Sequence, residues 1–372
     1  MWVDKHQPTR LDKCDLHQSM APRLKQLASS GEFPHLLFYG PHGSGKKTLV
    51  LAVLRELFGS NVDRTKLEYR SFKPTPSKTV EMTTIGSNYH IECNPSDVGN
   101  SDRFVIQEVI KEIASHGALT ARVDQMGMQV EGKGNEKEGG DKKKFKVVIL
   151  NEVDKLSKQA QAGLRRTMKK YSSACRLILI CNSFSKVIEP VRSRCLGIRV
   201  PCPSHEELSK LLVGVAKKEG VQLPDALALR ISVSSERNVR RALLMLQATK
   251  VQNGGNQLPE DLQVHLPDWQ VYIQRMAREI MQEQSPQKLM EIREMFYDLL
   301  SNCIPADLIL QYLCKEITKA LPDNTLNCEL YYWAAFFESR LSAGGKDIYH
   351  LEAFAAKFMH VYKSWLNSFF AF

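Results

Sequence analysis

The strongest chemical signature in this sequence of 372 residues is Gly40-Pro41-His42-Gly43-Ser44-Gly45-Lys46. An apolar run, His35-Leu36-Leu37-Phe38-Tyr39, precedes it, and a helical run, Leu49 to Leu54, follows. Glycines let the backbone bend until several N–H groups converge on a phosphate. A lysine neutralises the phosphate charge, and a helix starting there adds the positive end of its dipole. Strand, glycine loop and helix together predict a nucleotide site, with ATP or ADP cradled by Gly40, Pro41, Gly43, Ser44, Gly45 and Lys46.

Two positions depart from what a hydrolase of this kind needs. The residue after Lys46 normally offers a hydroxyl to Mg²⁺, but here it is Lys47, with Thr48 displaced by one place. Val147-Val148-Ile149-Leu150 reads as a buried strand, and the metal-holding carboxylate expected next is Asn151. Glu152 follows, where a carboxylate would polarise the attacking water. An ammonium repels a divalent ion, and a carboxamide brings no negative charge to it. Nucleotide hydrolases stabilise the transferring phosphoryl group largely through that ion. The expectation is a site that holds nucleotide, turns it over slowly and does not seat Mg²⁺ on its own side chains.

The elements that position these residues follow from periodicity. Short apolar runs at 35–39, 89–93, 146–150, 177–181 and 197–200 alternate with amphipathic helical stretches. That alternation predicts a parallel sheet covered on both faces, a P-loop α/β domain over 1–201. The strands stop after Pro201-Cys202-Pro203-Ser204; a small helical lid is expected over 202–256 and an all-helical domain over 257–372. Residues 131–144 hold no apolar side chain and read as a flexible insertion within the first domain.

Charge is divided unevenly. From Glu260 onward there are 10 Lys+Arg and 15 Asp+Glu, whereas the preceding part carries 41 and 26. A basic front suggests a polyanionic partner. Nine cysteines with no zinc spacing read as reduced, mostly buried thiols, and no metal ligands are assigned. No apolar run reaches the roughly 18 residues of a membrane span, and Met1-Trp2-Val3-Asp4-Lys5 does not open a secretory signal.

With these motifs in view, the sequence resembles the small subunits of replication factor C, the eukaryotic sliding-clamp loader. The likeness runs over nearly the whole chain. It is carried by the doubled lysine, Trp2-Val3-Asp4-Lys5-His6-Gln7-Pro8, Pro34-His35-Leu36-Leu37, Ser193-Arg194-Cys195 and Ile348-Tyr349-His350-Leu351-Glu352-Ala353-Phe354. His6 and Gln7 stand where the family usually has Tyr and Arg.

The resemblance implies an AAA+ ATPase domain, a lid and a helical collar in a heteropentamer. That assembly uses ATP to open the ring-shaped clamp PCNA and place it on primer–template DNA in replication and repair. It implies adenine contacts around positions 2 to 8, Val3 and Pro8 among them. It further implies a γ-phosphate sensor at Asn182, a second sensor at Arg240 in the lid, and nuclear residence. Arg194 becomes an arginine finger directed at a neighbouring subunit's nucleotide.

Ser101 is expected to cap a helix whose first turn, with Arg103 and Lys111, meets the DNA backbone. The family places its clamp-facing surface around Ala114 to Val123. The aromatic tail from Trp365 suits either an oligomerisation collar or packing within its own domain. Two further readings stay open: a fully active AAA+ motor subunit, and a P-loop transferase acting on small molecules, against which the basic–acidic division argues.

Overall fold

The computed structural model describes residues 1–30, 33–75, 78–111, 145–172, 175–321 and 323–370. The expected insertion at 131–144 and the expected clamp-facing stretch at 114–123 lie outside the described residues. The chain divides into two compact units, Met1–Val264 and His265–Phe372.

The first unit is built on a seven-stranded sheet. Strands β1 (Leu36–Tyr39), β4 (His90–Cys93), β5 (Lys146–Leu150), β6 (Cys175–Cys181) and β7 (Leu196–Arg199) are the five expected from the apolar runs. They pair in parallel in the order β4-β5-β6-β1-β7. An antiparallel hairpin, β2 (Lys66–Thr75) and β3 (Lys78–Gly86), extends the sheet beyond β4. The parallel sheet read from the sequence thus forms the main body of a mixed sheet, to which the hairpin adds two antiparallel strands. The hairpin escapes a search for apolar runs because its buried side chains, such as Phe72, Met82 and Thr84, alternate with exposed ones.

Alternate residues of the central strands enter two different cores. Leu36, Phe38, Val147, Ile149 and Ile178 face one side, where α2 (Ala21–Ser29) and α3 (Lys46–Phe58) cover them. Leu37, Val148, Leu150, Leu177 and Leu179 face the other, beneath α4 (102–111), α5 (Lys158–Lys170) and α6 (Glu189–Arg192). Each such side chain taken from water contributes about 1.5–3 kcal/mol. Burial on both faces is why these strands read as continuous apolar runs.

Three helices complete this unit: α7 (His205–Lys218), α8 (Asp225–Ser234) and α9 (Val239–Asn253). Ser204 and Glu207 form a capping box on α7, as the acids following Ser204 suggested. Gly254 ends α9 in the left-handed region. The chain then pairs back, with Gln222 N–H donating to the Asn256 carbonyl and Leu258 N–H to the Gln222 carbonyl. That return keeps residues 257–264 with the first unit, beyond the boundary expected at 256.

The second unit is helical throughout its described elements: α10 (Asp268–Gln282), α11 (Pro286–Ser301), α12 (Ala306–Ala320), α13 (Asn324–Ala343) and α14 (Asp347–Phe370). Ile273, Phe296, Leu313, Leu351 and Phe354 form its core, and Trp365 packs against that core.

Candidate nucleotide site

The parallel strands all end on one edge of the sheet, and the glycine loop leaves β1 there. Gly45, at φ +90°, precedes the first turn of α3, so free N–H groups of a 13-residue helix open toward the loop. Gly43 lies at φ +69°, and a Cβ on it would stand 1.8 Å from Asn238 Oδ1. Only glycine fits there. Asn238 caps α9 by accepting from Arg241 N–H, and Val239 N–H donates to the Gly43 carbonyl at 3.1 Å. Lid and loop are thus joined through backbone.

Lys46 is buried, and its Nζ donates to the Gly40 and Pro41 carbonyls, each at 2.7 Å. Burial lowers its pKa. The same burial, followed by the nearby Lys46 charge, lowers that of His42. Ser44 is wholly buried, with its hydroxyl oxygen unpaired. An orphaned polar atom, a buried lysine and an open helix N-terminus suit a phosphate chain.

Neighbouring segments tie the loop down. The His17 ring donates to the Ser44 carbonyl at 2.9 Å, and Gln7 Nε2 donates to Thr48 Oγ1 at 3.2 Å. Trp2 N–H, at the start of the short helix α1 (Trp2–Lys5), donates to Gln247 Oε1 on α9, while Lys5 and His6 both reach Glu219 at the end of α7. Val3 and Pro8, expected near the adenine, are half-buried within this strap.

The metal corner is built differently. Lys47 Nζ pairs with Glu92 Oε1, and Asn151 Nδ2 donates to the same oxygen at 2.7 Å. Glu92 comes from β4 and is buried. Parallel pairing sets Cys93 level with Leu150, so β4 delivers Glu92 beside the point where β5 releases Asn151. Divalent metal needs oxygen acceptors, and this corner presents an ammonium and an amide N–H whose shared acceptor is already engaged. Mg²⁺ does not fit these residues. Among the described residues no group of three or more His, Cys, Asp or Glu could hold a metal ion.

Glu152 sits in the left-handed region at φ 52°, and its carboxylate pairs with Lys155 at 2.9 Å. A non-glycine residue held there marks local strain. Asn182 follows Cys181, which lies level with Tyr39, so it stands at the same sheet edge as the loop. Arg240 is exposed in the first turn of α9, adjacent to the Val239 N–H bound to the loop. Arg194 is exposed on the turn after α6, where its guanidinium donates to the Pro190 carbonyl at 2.6 Å and to Ser193 Oγ.

The expected DNA-facing helix is amphipathic, burying Val105, Ile106, Val109 and Ile110 and exposing Arg103 and Lys111. Its start differs from expectation, because Ser101 is itself buried. Asp102 brings a carboxylate to the Arg103 N–H at 2.7 Å and also binds Ser157 through backbone and hydroxyl. A carboxylate already on that N–H replaces the open N-terminus expected for a phosphate. The basic surface that remains is Arg103 and Lys111, with exposed Arg165, Arg166, Lys169 and Lys170 on α5.

Sequence reasoning missed Glu92 and Asp154. A charged residue inside the run Tyr89-His90-Ile91-Glu92-Cys93 was the available signal for the first. Asp154 accepts from Ser183 N–H at 3.3 Å, and its charge partly offsets the burial that lowers the pKa values of His42 and Lys46. The thiols match the expected inert character for the most part. Burial pushes Cys93, Cys181, Cys195 and Cys314 up to about 12, although Cys303 and Cys328 are exposed.

Residues 36–201 match the ATPase family associated with various cellular activities. Residues 210–251 match the AAA+ lid domain of the RCF1/5-like type, and 269–366 match the C-terminal domain of replication factor C subunit 3. Replication factor C subunit 3 of Arabidopsis thaliana is 47% identical, covering 100% of this chain and 99% of that protein. Subunit 3 of Homo sapiens is 47% identical over 99% and 97%, and subunit 5 of Schizosaccharomyces pombe 42% over 97% and 96%. With this likeness running from end to end, the chain belongs to the replication factor C family of AAA+ ATPases.

Proposed function

We propose that this chain is a subunit of a nuclear clamp-loader heteropentamer that opens a sliding clamp of the PCNA type and loads it on primer–template DNA. Its own site holds ATP or ADP, with ADP the expected resident, and hydrolyses slowly if at all. The observation that carries this is the engagement of Lys47 and Asn151 by Glu92, which leaves donors where Mg²⁺ requires acceptors. When bound, Mg²⁺ would supply charge stabilisation to a transferring phosphoryl group; these residues do not support its binding.

Gly43, Gly45, Lys46 and Thr48 would position the phosphates and the start of α3, with Asn182 and Arg240 facing them from sheet edge and lid. Arg194 is proposed to act on the neighbour's nucleotide, where a guanidinium would stabilise developing phosphoryl charge. Its exposure supports that role. Arg103 and Lys111 are proposed to follow the DNA backbone together with α5.

The test pairs two assays. The purified chain with ATP and Mg²⁺ is expected to turn over far below the usual enzymatic range of about 1–10³ per second. Arg194→Ala in the assembled complex is expected to lower its ATPase while this chain still binds ADP. Rapid turnover by the chain alone would favour the active-motor reading, and unchanged complex ATPase would dismiss the finger.

A further inference from the structure

We propose that the Lys47 ammonium is the resident cation of this nucleotide pocket, and that Glu92 holds it there as a positioning residue. The inference rests on the reading that the site binds nucleotide without a divalent ion. It goes further in making the metal position closed by a built-in ion pair, rather than merely stripped of ligands.

Glu92 is the group that demands a cation here. It is buried on β4, between Ile91 and Cys93, and a carboxylate removed from water needs charge or hydrogen-bond compensation. Both compensating groups come from the two positions that depart from the metal-binding pattern. Lys47 brings a positive charge from the first turn of α3, and Asn151 Nδ2 donates at 2.7 Å from the end of β5. An aspartate at 151 would set two carboxylates within hydrogen-bond reach of each other, which forces a proton or a cation between them. A threonine at 47 would leave Glu92 without its counter-charge. The cation, the anion and the neutral amide are therefore chemically interdependent. The Lys47 side chain is 43% exposed while that of Glu92 is 8% exposed, so the ammonium bridges a buried anion to the open side of the pocket.

The test uses the purified full-length chain and ADP carrying a fluorophore, with affinity measured in EDTA and in millimolar MgCl₂. The wild-type chain is expected to bind equally, within about twofold, in both. Lys47→Met uncovers the Glu92 carboxylate, so affinity in EDTA should fall about tenfold and Mg²⁺ should restore most of it. Asn151→Asp keeps the ion pair but adds a negative charge, and should likewise acquire a metal response. The double variant Lys47→Met/Glu92→Gln lacks the group that demands a cation, and should return to metal independence.

Melting temperatures of the nucleotide-free proteins give a second reading. Mg²⁺ should raise them for Lys47→Met and Asn151→Asp, and leave wild type and the double variant unmoved. If neither single variant responds to Mg²⁺ in either measurement, or if the double variant responds as Lys47→Met does, the proposal is overturned. A wild-type chain that loses more than tenfold affinity in EDTA sinks the underlying metal-free reading instead, whatever the variants do.

Discussion

The two halves of the nucleotide pocket were built by opposite means. At the cradle, Gly43, Gly45 and Lys46 keep the groups that a phosphate chain needs, and the lid, His17 and Gln7 brace them from outside. At the metal corner, Lys47, Glu92 and Asn151 satisfy one another. A cradle works by leaving donors open, whereas a corner that closes on itself leaves nothing for an incoming ion. Under the proposed function, binding and hydrolysis separate because they depend on different ends of one site.

The largest effect should come from breaking the cradle. Lys46→Met removes a charged donor worth about 1.5–3 kcal/mol in a hydrogen bond, so ADP affinity measured by fluorescence should fall roughly 10- to 150-fold. Equal losses from Lys46→Met and Lys47→Met, both measured in Mg²⁺, would erase the distinction between the two ends.

Gly43→Ala comes next. It forces a side chain into a left-handed backbone and onto Asn238, and should cost about 2–4 kcal/mol of unfolding free energy in a urea titration. A neutral result would mean that the loop–lid junction contributes little to the cradle.

A pH titration sharpens the strap on the cradle side. Hydrogen bonding by Lys5, then by His6, holds Glu219 below the ordinary value of 4.5. A carboxyl depressed in the folded state contributes stability above its unfolded value, and that contribution is lost as pH falls through the folded value. Wild type should therefore lose melting temperature below about pH 4.5 more steeply than Glu219→Gln. Coincident profiles would detach the strap from stability. The smallest effect is expected from Ser44→Ala in the nucleotide-free chain, because the buried hydroxyl has no partner to lose. A change in melting beyond about 2 °C would contradict that.

Much of this was legible in residue order. The glycine loop, the buried strands β1, β4, β5 and β6 and the helical second unit follow from apolar runs and period, because parallel strands buried on both faces leave an unmistakable pattern, whereas β7 is a mostly exposed edge strand. The two departures from the metal-binding pattern were also visible, as Lys47 and Asn151 lie at fixed spacing from recognisable anchors. Glu92 was not legible as their partner. It is 45 residues from Lys47 and 59 from Asn151, and only the adjacency of β4 and β5 brings the three together. The hairpin Lys66–Gly86 was lost because a surface ribbon alternates instead of running apolar. Ser101 looked like the cap of an open helix, yet Asp102 is what the first turn presents, and sequence alone does not rank two adjacent capping residues.

The central claim is that nucleotide sits here without a divalent ion held by the protein. Mn²⁺ in place of Mg²⁺ makes it directly readable by electron paramagnetic resonance on the ADP-saturated full-length chain. The account predicts a spectrum indistinguishable from Mn²⁺ with ADP in buffer, with no protein-held ion. A stoichiometric, immobilised Mn²⁺ signal that disappears on removing the chain would contradict it.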